Sequence, residues 1–240
     1  MIKVNSFSKF IRIIYIFFYL ISSRFAISED MFKKDFLGFQ NELNQRNFVA
    51  LEKYFDQDER SLFKNKFFKL IREFPDAKWE IISTKLINDN QYKIDMKLAG
   101  SKNLNGAKFK LDSNFNFVFN LDNGLIKKSY IENNITTIRS DDNQIDIDIF
   151  IPDKVLTGSK YDIDIILNEP LEEIIIAGGI KEFQEGKLSN QSIPLEILVS
   201  GGIFKVSRAP LRPGIQIWTG IIAHPKGLVS FTKTVKIVKD

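Results

Sequence analysis

The chain contains no cysteine, and in 240 residues it has one histidine and seven prolines. Without cysteine there can be no disulfide, no thiolate metal site and no cysteine nucleophile. The single His224, in IIAHPKG before a proline, leaves a zinc centre of His and Cys ligands without a second ligand. A Ser–His–Asp triad would have only that one base to use, and no GxSxG elbow is present. Neither a P-loop nor a GxGxxG strand–turn–helix occurs. These gaps point away from the common hydrolases and nucleotide enzymes. No cofactor is expected. Stability has to come from an apolar core, for which 22 phenylalanines supply bulk.

The first 28 residues have no carboxylate. They carry Lys3, Lys9, Arg12 and Arg24, with the apolar run Ile13–Ile21 after the third cation and Ala26-Ile27-Ser28 at the end. A basic start, a short greasy centre and a small-residue exit make a secretory signal, which predicts a mature chain from Glu29 and an exported protein. The competing reading is an uncleaved anchor, since Arg24 interrupts the exit; the run is shorter than the roughly 20 apolar residues that a membrane helix needs. The four leader cations account for the whole excess of 34 Lys+Arg over 30 Asp+Glu. A neutral mature chain lacks the clustered cations that phosphate binding needs. The partners expected are therefore a protein or a small apolar ligand, no nucleic acid, and a membrane only if the leader stays.

The apolar period changes along the chain. From Asp30 to Phe74 it is helical: Phe32, Phe36, Phe39 and Leu43 form one stripe, and Phe63, Phe67, Leu70, Ile71 and Phe74 another. Asp58 or Ser61 is positioned to cap the last helix, and Pro75 to stop it. From Trp79 the period is two. Strands are predicted over 79–87, 92–98, 107–111, 115–121 and 125–131, with Gly100–Gly106 as a loop and Asn123-Gly124 as a hairpin turn. After a polar junction at Ser140–Asn143, seven strand candidates fill 144–238. Three segments are expected: a signal over 1–28, an α+β domain over 29–140 and an all-β domain over 141–240.

The Phe-rich helix ending before a Trp-led strand, and the run FNFVFNLDNGLIKKSYI, resemble the NTF2-like (SnoaL-like, cystatin-like) cone fold over residues 30–138. The second half looks like a bacterial immunoglobulin-like β-sandwich, without the Cys–Trp–Cys pattern of antibody domains. The resemblance implies helices closing a curved antiparallel sheet over a pocket, which some members use for catalysis and many for binding; fold alone does not choose.

The pocket is expected to be lined by Trp79, Tyr92 and Phe117. Asp56 and Asp95 are the carboxylates to consider for acid–base chemistry there, with Asp95 alternating with inward residues and so placed on the outer face. Asp146, Asp148, Asp162 and Asp164 share one outer strand face, where a hard cation or simple solvation would suit them. Arg208 and Arg212 flank a Pro-containing loop that a solvated connection or an acidic partner would explain. The leading expectation is an exported, non-enzymatic binding protein; an exported SnoaL-like enzyme with its site in the first domain and a membrane-anchored assembly factor are the alternatives.

Overall fold

A computed structural model of the chain describes residues 36–140, 145–168, 175–183, 192–199 and 201–239. The candidate leader, and residues 141–143 of the polar junction, lie outside these. The helical spacing becomes three helices among the described residues: 36–45 (α1), Phe48–Leu51 (α2), which runs into a 3₁₀ turn at Glu52–Tyr54, and Gln57–Glu73 (α3). The cap of α3 is neither Asp58 nor Ser61 but Asp56, whose side chain accepts from the Glu59 amide at 3.0 Å. That choice leaves Asp58 and Glu59 in the first turn, where carboxylates complement the helix dipole.

Four long strands follow as an antiparallel meander: Lys78–Asn88 (β1), Gln91–Leu104 (β2), Ala107–Asp122 (β3) and Leu125–Ser140 (β4). Asn123 and Gly124 both have positive φ, 50° and 77°, as a two-residue hairpin turn demands. Gly100–Gly106 is not a loop. β2 runs on to Leu104, Asn105-Gly106 makes a second tight turn with φ of 52° and 84°, and the two strands expected over 107–121 are one.

The second half supplies Ile147–Phe150 (β5), Lys154–Leu156 (β6), Lys160–Leu167 (β7), Ala177–Phe183 (β8), Glu196–Ile197 (β9), Gly202–Arg208 (β10), Gly214–His224 (β11) and Gly227–Val238 (β12). The large sheet has the order β1-β2-β3-β4-β12-β11-β8-β9, with β6 added parallel to β12, and a three-stranded sheet runs β10-β7-β5.

This topology overturns the expected NTF2-like α+β cone followed by a separate immunoglobulin-like sandwich. β4 does not stop at Ile131; its Ile135–Arg139 stretch pairs with Lys233–Val229 of β12. One antiparallel sheet therefore passes through both halves, and the helices are short additions to it. Beneath them lies one core, with Leu51, Phe55, Ile94 and Phe119 fully buried. A second core, including Ile163, Ile165, Ile222 and Val229, joins the three-stranded sheet to the far part of the large one.

Polar side chains fasten the β4–β12 seam. The Asn134 amide donates to the Thr234 hydroxyl at 2.7 Å. Lys233, with 8% of its side chain exposed, donates to Asn133 Oδ1 at 2.9 Å and pairs with Asp153. Glu132 pairs with Lys236 of β12 and, at 3.0 Å, with Lys93 of β2. The hydrogen bond from Lys236, helped by Lys93 and opposed by burial, holds the Glu132 carboxyl below its ordinary value of 4.5. A carboxyl depressed in the folded state contributes stability that is complete above its unfolded pKa and is lost as pH falls through the folded value. Glu132→Gln is thus expected to destabilise the protein at neutral pH and to lose less on acidification below 4.5 than the wild type. Thermal melts of both proteins across that range check this; parallel pH profiles would remove Glu132 from the seam's stability.

Candidate ligand-binding site

Where α1 and α3 cross the inner face of β1–β4, the aromatic packing leaves a crevice of about 150 Å³. Helical spacing puts Phe39 and Leu43 of α1, and Leu62 and Phe63 of α3, on its helix side; alternation puts Trp79, Met96, Phe115, Phe117 and Ile131 on its sheet side. Phe117 stands opposite Ile131 beside a register shift between β3 and β4, and a second shift follows at Val118/Asn120. Bulges of this kind turn strands and re-aim side chains next to sites. Behind the wall, Phe67 stacks on Phe63 and on Trp79, each at a ring separation of 5.5 Å.

The helix wall is fixed to the edge of the sheet by two amide side chains four residues apart. Asn44 donates to the Trp79 carbonyl at 2.9 Å and accepts from the Trp79 amide at 2.8 Å, while Gln40 accepts from the Ile81 amide at 2.6 Å. Backbone groups of edge strand β1 that would otherwise be open to another strand are thereby satisfied. The same bonds set α1, and with it Phe39 and Leu43, over the crevice.

Three polar residues reach the lining beside Tyr130: Glu59, Lys66 and Ser129. Both Glu59 carboxylate oxygens are engaged by Ser129, from its amide at 2.9 Å and its hydroxyl at 2.6 Å. Lys66 lies two turns further along α3, exposed, and makes no ion pair among the described residues. The arrangement is an apolar slot with one occupied carboxylate and one open ammonium. That suits holding a small molecule by shape, with polarity at one side.

Of the three expected lining residues, Trp79 and Phe117 are here and Tyr92 is not. Trp79 pairs with Leu98, and Tyr92 is six residues along β2 from that point, about 20 Å at strand rise. Tyr92 stacks instead on Phe119 and meets Phe36, and burial pushes its hydroxyl pKa up. Asp56 is the α3 cap. Asp95 is on the outer face between Ser83 and Asn116, each donating to it at 2.5 Å. His224 is buried at the end of β11, where its Nδ1 accepts from the Lys226 amide at 3.0 Å.

The four aspartates on the small sheet are separated by register: Asp164 is opposite Phe150 and Phe204, and Asp162 is opposite Val206. Asn168 donates to Asp146 and Asp148. No group of three His, Asp or Glu among the described residues is arranged to hold a metal ion. Arg208 donates to the Gly158 carbonyl at 3.4 Å. Sequence reasoning missed Glu59, Lys66, Met96 and Ser129; the available signal was the α3 stripe itself, since Glu59 and Lys66 stand four before and three after Phe63.

A family described as a domain of unknown function (DUF8623) matches residues 142–238. The matched stretch contains the second core; every crevice residue precedes it. No curated protein matches the chain. Among the described residues no helix is long and apolar enough to cross a membrane.

Proposed function

We propose that this is an exported, non-enzymatic binding protein whose helix–sheet crevice takes a small apolar ligand. The observation that carries the reading is the crevice itself: about 150 Å³ of space walled by Phe39, Phe63, Trp79, Met96 and Phe117. A closed apolar cavity of about that volume takes up benzene; this crevice offers similar room, open to solvent beside Leu62. Among the described residues, the only carboxylate on the lining is already held by Ser129, which favours holding a ligand over transforming it.

Benzyl alcohol is a suitable probe. A ligand that binds only the folded state raises its stability by about 2.7 kcal/mol at a hundred times its Kd, so the melting temperature should climb with probe concentration. Leu62 is 53% exposed on α3 at the mouth, so Leu62→Trp should fold and block the effect. A melting temperature indifferent to benzyl alcohol in the wild type would overturn the reading. Export rests on the acid-free leader; the intact mass of protein recovered from an exporting host should correspond to a chain starting at Glu29, and soluble protein retaining Met1 would contradict cleavage.

A further inference from the structure

We propose that the natural ligand of the crevice is a small carboxylic acid with an aromatic or compact alkyl body, its carboxylate meeting Lys66 at the mouth. This rests on the reading of the crevice as a binding site and adds the chemical class of what enters it.

The body of the ligand follows from the walls. Phe63, Trp79, Met96 and Phe117 offer ring faces and a thioether, surfaces that pack flat or compact apolar groups. A volume near 150 Å³ holds one six-membered ring with a short substituent.

The head group follows from the charges. Among the described residues Glu59 is the lining's one anion, and its two oxygens are taken up by the amide and hydroxyl of Ser129, so a cationic ligand finds that partner already engaged. The Lys66 ammonium has three donors and no acceptor of its own, and it has no ion-pair partner among the described residues. A carboxylate supplies the acceptors it lacks. Glu59 does not serve as the partner of Lys66: both its oxygens are held by Ser129, and no ion pair joins the two side chains.

The test compares two probes that share a ring and differ in charge, benzoate and benzyl alcohol, by calorimetric titration of the wild type, Lys66→Met and Lys66→Arg. An exposed ion pair is worth about 0.2–1 kcal/mol, or up to a fivefold change in affinity. Benzoate should bind the wild type two- to fivefold more tightly than benzyl alcohol does. That preference, taken as the ratio of the two probes' affinities for the same protein, should shrink in high salt, disappear in Lys66→Met and return in Lys66→Arg. If benzyl alcohol binds and benzoate binds no better, or if the preference survives Lys66→Met, the carboxylate assignment is overturned and the crevice reading stands. If neither probe binds, both fall together.

Discussion

Replacing Phe67 with alanine is expected to cost about 3–5 kcal/mol and to lower the melting temperature by roughly 10 °C or more. Phe67 is 4% exposed, and its ring is stacked between Phe63 and Trp79. Its removal takes away the transfer energy of a large ring and leaves a void that helix α3, pinned at one end by the Asp56 cap, cannot collapse to fill. The two rings that lose support are crevice walls, so the variant should also bind benzyl alcohol less selectively. Thermal melts check the stability, and an unchanged melting temperature would mean that α3 does not close this core.

Gly220→Val is expected to cost about 3 kcal/mol or more, although no crevice residue is near it in sequence. Gly220 is directly opposite Phe231 in the β11–β12 register, and a Cβ built there would fall on the Phe231 ring. Phe231 is buried and is itself paired with Thr137 of β4. The displaced ring would have to push into the seam where the two halves of the sheet meet, and overpacked cores relieve such conflicts only by moving backbone. Chemical denaturation of the variant tests this. A midpoint equal to that of the wild type would show that β11 and β12 are not in this register.

Phe67 also marks how far the sequence could be read. Phe67 belongs to a stripe at helical spacing with lysines mostly off it, and the stripe alone locates α3 and its buried face. Asn123-Gly124 likewise announces its own turn. The second half of β4 gives no such contrast. From Ile131 to Ser140 every residue is half-buried, because β-branched and polar side chains there pack against β12 along the seam, and hydrophobic alternation fades where both faces are partly covered. That silence suggested a strand ending at Ile131, and a separate sandwich in place of a shared sheet.

The crevice was partly legible for a related reason. Trp79 and Phe117 are large rings on one strand face and stand out. Tyr92 shares that face but not that position, since alternation tells the side of a sheet and not the distance along it. The amides of Gln40 and Asn44 look unremarkable in a chain rich in asparagine. Their value comes from the outward backbone groups of Trp79 and Ile81, and those exist only because β1 ends up at the edge.

The protein has two tryptophans, one for each core. Trp79 lines the crevice, and Trp218 is buried in the other core with its Nε1 donating to the Tyr161 hydroxyl at 2.8 Å. The two indole N–H signals of a ¹⁵N-correlated spectrum therefore report the two cores separately. On titration with benzyl alcohol, the Trp79 indole and the amides of Phe63, Met96 and Phe117 should shift together and saturate, while the Trp218 indole stays in place. Shifts confined to Trp218, or no saturable shift at Trp79, would contradict a ligand site between the helices and the sheet.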